Sequence, residues 1–175
     1  MEAGHKKLIR FMSLVSNLSL VLCLVLVAAD RPHHFSTPVD KLPYFQHDTS
    51  ADKLKGFRQF SDEFFAAVKR NDTSFLRVHT VFPITGSSFY IFDESLMQKK
   101  ITARSFFSKL KKLFPEEDTK RIRKEGHFNY VGSGGKDYYV IELIFHEEDV
   151  DSNYSWFFTK EGGVFYFINF KAEAG

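Results

Sequence analysis

The chain has 175 residues, 24 Lys and Arg against 22 Asp and Glu, and a formal net charge of +2. Charge so near balance excludes a dedicated nucleic-acid binder, whose domain is usually strongly basic. A single cysteine, Cys23, excludes a disulfide framework, so a hydrophobic core must supply the stability, and 21 Phe and 7 Tyr are the material for it.

Residues 1–29 read as an address. His5, Lys6, Lys7 and Arg10 form a positive start, Leu14 to Val27 an apolar run, and Val27, Ala28 and Ala29 a small-residue cleavage site. That is the three-part layout of a secretory signal peptide, and it predicts a secreted or periplasmic protein. The apolar run falls short of the roughly 20 residues a membrane-crossing helix needs. A retained anchor is therefore the alternative, and no membrane span is expected after cleavage. Lipidation at Cys23 is disfavoured by Leu22 before it. Cleavage after Ala29 removes the cysteine and brings the net charge close to zero.

Residues 30–50 carry Pro32, Pro38, Pro43, His33, His34 and His47 without sustained periodicity. They are expected to be a flexible leader. Residues 51–175 then suit one domain. Ala51 to Arg70 is the clearest helix, with Leu54, Phe57, Phe60, Phe64, Phe65 and Val68 on one stripe. Thr49 or Ser50 fits its start and Asn71 its end, while Asp72 caps a short second helix through Val78. Val81 to Phe92 reads as two extended pieces around Thr85 to Ser88. Thr102 to Phe114 reads as one helix burying Phe106, Phe107, Leu110, Leu113 and Phe114, with Lys109, Lys111 and Lys112 in solvent, stopped by Pro115. Strands follow at His127 to Val131, Asp137 to His146, Tyr154 to Lys160 and Val164 to Lys171, the last two a hairpin around Glu161-Gly162-Gly163. Helices first and an antiparallel sheet last make an α+β domain.

The helix motif Phe57-x-x-Phe60-x-x-x-Phe64-Phe65 and the terminal Trp156-Phe157-Phe158-x-x-Glu161-Gly162-Gly163-Val164-Phe165-Tyr166, in this element order, resemble the nuclear-transport-factor and ketosteroid-isomerase superfamily. The resemblance covers roughly Ala51 to Lys171. It implies a cone-like fold, with amphipathic helices packed on a curved antiparallel sheet, and a conical pocket used for catalysis, binding or dimerisation. The isomerase branch implies an acidic base and an acidic oxyanion partner, which do not map onto this chain residue by residue, so fold carries no activity with it.

Glu142 is the one charge in Tyr138 to Phe145, and alternation sets it on the face of Tyr138, Val140, Ile144 and His146. Among apolar groups such a carboxylate would serve as a general acid or base; on an outer face it would be solvated or paired. Tyr138, Asn129, Asn169 and Trp156 complete the candidate pocket, and no catalytic set is identifiable. His127 and His146 would have to approach across strands to bind a metal, and no cysteine supports them, so no metal and no cofactor are expected. Gly132 to Gly135 lacks the lysine and following helix of a phosphate loop. The basic run from Lys99 to Lys124 would touch an anionic partner or be balanced by Glu147, Glu148, Asp149 and Asp151. These observations predict a non-enzymatic binding or interaction protein with an apolar or amphipathic ligand. The alternatives are an isomerase- or dehydratase-like enzyme using Glu142, and an envelope scaffold or homodimer associating through one sheet face.

Overall fold

A computed structural model of the protein describes residues 51–97, 100–133, 135–146 and 151–174. They lie within one compact unit. The expected signal peptide and leader, residues 1–50, and the acidic loop at 147–150 lie outside the described residues.

Helix α1 spans Ala51–Arg70 and buries the stripe that its spacing sets: Leu54, Phe57, Phe60, Phe64, Phe65 and Val68 are all in the core. Each such side chain contributes about 1.5–3 kcal/mol through area removed from water. The helix ends in a Schellman arrangement, with the Asp72 N–H donating to the Ala67 carbonyl (2.9 Å) and the Asn71 N–H to the Val68 carbonyl (3.0 Å). This close places Asn71 at φ +56°. Asp72 then caps α2 (Thr73–Val78), its Oδ1 accepting from the Phe75 N–H at 3.1 Å.

Four antiparallel strands follow: β1 (His127–Ser133), β2 (Lys136–His146), β3 (Asp151–Glu161) and β4 (Val164–Ala174). They form a curved, open sheet in the order β1-β2-β3-β4. A register shift opposite Phe157 and Phe158 leaves Ile168 as an extra residue in β4, a bulge of the kind that adds bend and twist. The β3–β4 turn is made by Gly162 and Gly163, both at positive φ, which a side-chain-bearing residue resists. Along its free edge, β4 is bonded by the segment after α2: Val81 N–H to the Phe167 carbonyl and Ser88 N–H to the Phe170 carbonyl, both 2.9 Å.

One face of the sheet meets the helices. Phe57 packs edge-on against Phe158 and tilted against Tyr139, with centroids 5.2 and 5.0 Å apart. Phe65 meets Trp156, and Phe89 stacks on Phe170. Aromatic pairs in such geometries add roughly 0.5–1.5 kcal/mol each to area burial.

Three expectations are corrected. Val81 to Phe92 forms no strand: Thr80 and Ile84 make isolated bridges to Phe167 and Ile101, and Phe89–Ile91 is a 3-10 turn. Edge pairing to β4 uses single residues of this segment, so its extended pattern never becomes a ladder. The helix expected over Thr102 to Phe114 is two pieces, α3 (Ala103–Ser108) and α4 (Leu110–Leu113), broken at Lys109 (φ −117°). Lys109 turns inward to Asp93 instead of facing solvent. Finally, Pro115 stops one helix and caps another, α5 (Glu116–Glu125), whose acidic first turn and basic last turn suit the helix dipole. Only Ile122 of α5 is buried, so no apolar stripe announced it.

Candidate functional site

Alternation along each strand gives the sheet two faces. Tyr139, Ile141 and Leu143 face the helices; Tyr138, Val140 and Glu142 face the other way. On this second face the register lines up Asn129, Val140, Phe157 and Asn169 across all four strands. The next row sets His127, Glu142, Ser155 and Lys171 side by side. Asn129 Nδ2 donates to Glu142 Oε2, so two of the candidate residues touch. Glu142 is half-buried; Tyr138, Asn129 and Asn169 are buried.

The candidates do not all converge. Asn169 sits by β4's outer edge, where Nδ2 donates to the Thr85 carbonyl (3.1 Å) and Oδ1 accepts from the Phe170 N–H (2.8 Å). Its polar atoms serve the chain around it. Trp156 lies on the opposite face, pairing with Ile141 and Phe170 in the register and packed among Phe65, Tyr154 and Phe170. Its Nε1 is buried with no hydrogen-bond partner. The period-two rule separates Trp156 from Phe157 and Glu142 at once, but which face belongs to the core is decided by α1.

The second face is mixed in character. Val131, Tyr138, Val140 and Phe157 make an apolar field into which Asn129, Glu142, Ser155 and Thr159 project as polar groups. The Thr159 hydroxyl donates to the Asp137 carbonyl at 2.9 Å. Burial pushes the Tyr166 hydroxyl above its ordinary pKa of 10.0, with the Glu161 charge acting in the same direction. The arrangement suits orientation of a partly apolar ligand: broad contact from the rings and a few directed hydrogen bonds from the polar row.

A second cluster was not legible in the sequence. Asp93 is buried beside the 3-10 turn Glu94–Leu96; its Oδ1 accepts from the Ser95 N–H at 3.1 Å and its Oδ2 is paired with Lys109 Nζ. Lys112 Nζ stands 3.5 Å away, and Lys109 also donates to Ser95 Oγ at 2.9 Å. The hydrogen bond from Lys109, then those from Ser95, hold the Asp93 carboxyl well below the ordinary carboxylate range. The cluster pins the α3–α4 break to the turn sixteen residues upstream, a role only tertiary proximity reveals. Beside it an open depression of about 360 Å³ is lined by Asn71, Phe107 and the Lys109 to Lys112 stretch.

Among the described residues the basic run has counter-charges near at hand, while Glu147, Glu148 and Asp149 of the acidic loop lie outside the described residues. Lys120 pairs with Glu116, Arg121 with Glu125, and Arg123 with Asp62, the last two contacts at 3.1 and 3.5 Å. His127 and His146 are not neighbours: His127 pairs with Glu142, four residues from His146, about 13 Å along the strand. Among the described residues no three of His, Cys, Asp and Glu gather to hold a metal ion, and no helix is long and apolar enough to cross a membrane.

Compared with known proteins, the chain matches no family model, no curated protein and no solved structure.

Proposed function

We propose that the chain is an extracytoplasmic binding or interaction protein, and that the second face of its sheet is the binding surface. One observation carries this reading: an apolar field with a polar row through it, on a face that the described helices leave aside. The helices fill the first face with interlocked rings, so a ligand has its chemistry prepared on the second. The fold is proposed to be a cone-type relative of the nuclear-transport-factor and ketosteroid-isomerase superfamily, which a long amphipathic helix laid across a curved antiparallel sheet supports. Secretion or periplasmic export rests on the charged, apolar and small-residue order of residues 1–29. The ligand class is apolar or amphipathic, since rings dominate the face and its hydrogen-bonding groups are few.

Anilinonaphthalene sulfonate, an amphipathic fluorescent probe, tests this. The wild-type chain is expected to bind it saturably, and Ile144→Glu to weaken binding at least tenfold with unchanged far-UV circular dichroism. Ile144 is on the same face and partly exposed, so the substitution burdens the surface and not the core. Absence of saturable binding, or equal binding by the variant, overturns the reading.

Catalysis through Glu142 is the second reading. It is favoured by the Asn129 amide holding a half-buried carboxylate in a fixed position on an apolar field.

A further inference from the structure

We propose that the depression between the end of α1 and the α3–α4 break binds a small amphipathic organic acid. The acid's anionic group meets the lysines there, and its apolar part lies on Phe107 and Leu110. This site is on the helical side of the domain and does not rest on the reading of the second sheet face.

Uneven charge pairing along the basic run is the starting point. Helix α5 is self-balanced, with Glu116, Glu117, Asp118 and Glu125 against Lys120, Arg121, Arg123 and Lys124. The stretch Ala103–Leu113 carries Arg104, Lys109, Lys111 and Lys112 and no carboxylate at all. Asp93, from far upstream, serves two of these cations at once. Its Oδ2 is paired with Lys109 Nζ and lies 3.5 Å from Lys112 Nζ. Lys111 is exposed and forms no ion pair among the described residues. Asp72, beside Asn71, engages its carboxylate in capping α2. One carboxylate among three ammonium groups leaves positive charge in excess, and such a field attracts an anion.

The depression lies where this excess gathers. Asn71, Phe107, Leu110 and the three lysines line its volume of about 360 Å³, which is within the range of small-molecule sites. Two turns of the chain border it: the close of α1 at Asn71 and the break at Lys109. The break is held by Lys109 donating to Ser95 Oγ at 2.9 Å as well as by Asp93. Its apolar lining is equally fixed. Leu110 belongs to the core, and the Phe107 ring packs edge-on against Phe82 and Phe106, with centroids 5.7 and 5.5 Å away. The Arg77 guanidinium stands 5.1 Å from the Phe107 centroid and adds a further cation. Side chains already held in place lose little freedom when a ligand arrives.

These two kinds of lining select the ligand class. A bare inorganic anion would leave Phe107 and Leu110 unused, and a neutral apolar molecule would leave the lysines unanswered. Lysine acts as a point charge without the planar fork of arginine, so the site reads negative charge next to apolar bulk.

Octanoate is the probe, titrated into the full chain labelled with nitrogen-15. Saturable amide shifts are expected at Asn71 and from Phe107 to Lys112. Octanol has the same chain without the charge, and acetate the charge without the chain; neither is expected to saturate these amides over the same concentrations. Lys111→Glu should weaken octanoate at least about fivefold, since it reverses an exposed charge at the rim, while Lys55→Glu, the same reversal on an exposed position of α1, should leave it unchanged. Added salt should weaken octanoate as well. Shifts that map elsewhere or do not saturate overturn the proposal, as does equal binding of octanol or acetate, or an equal loss in both variants. The wild-type titrations decide the matter by themselves if a variant does not fold. Vesicles of phosphatidylglycerol that perturb these amides where octanoate does not would assign the charge to a membrane surface and overturn the small-molecule site.

Discussion

Asp93 shows how one side chain joins distant parts of this domain. Its carboxylate gathers Lys109, Lys112 and the Ser95 N–H, and the anionic form is favoured in the folded state. A folded-state pKa below the ordinary 3.8 means the stabilisation is fully present above that value and fades as pH falls beneath it. Asp93→Asn is therefore expected to lower the melting temperature at neutral pH, and the gap to wild type should narrow as pH drops below about 4. Thermal melts across the range check this, and a gap that widens in acid would show that the ion pair is not what matters. Asn129 and Glu142 form the corresponding pair on the sheet, but there the contact lies within a candidate binding surface and not between elements.

Among the elements, α1 is the best specified. Its stripe, its exposed charges and its stop are all local properties, and the structure keeps each of them. The stop is testable at Asn71, where φ +56° is a conformation that Asn and Gly tolerate better than other residues. Asn71→Ala should cost about 1 kcal/mol in denaturant unfolding, and Asn71→Gly close to nothing. Equal losses would place the stabilising effect in the Asn side chain instead of the backbone. Helix α5 is the contrary case. Its capping charges are sound, but with one buried residue its place depends on Arg123 reaching Asp62 of α1 and Arg121 lying 4.2 Å over the Phe145 ring, contacts no sequence window contains.

At the scale of the whole domain, the sheet carries buried residues on both of its faces. Phe157 and Phe158 are neighbours in β3 that point to opposite faces, and both are buried. Phe158→Ala should cost about 3–5 kcal/mol, the usual range for a cavity left by a core Phe. Phe157→Ala should cost a comparable amount, because burial and not membership of the helical core sets the transfer and cavity terms. Denaturant midpoints of the two variants check the comparison, and a loss below about 1 kcal/mol for Phe157→Ala would mean that Phe157 is loosely packed.

The sequence by itself determined the local grammar: the α+β order, the span and buried stripe of α1, the Asn71 stop, the Asp72 cap, the four strands, the glycine turn and the side of β2 on which Glu142 stands. These follow from periodicity and turn chemistry, which act over a few residues. Only the tertiary structure decided that Val81 to Phe92 lies along β4 without becoming a strand, that the helix before Pro115 breaks so that Lys109 can reach Asp93, and that Trp156 belongs to the helical core while Glu142 and Asn129 meet on the other face. Each of those outcomes depends on groups brought together from far along the chain. A strand's alternation says that two faces exist, but the element that arrives to cover one of them decides which joins the helical core.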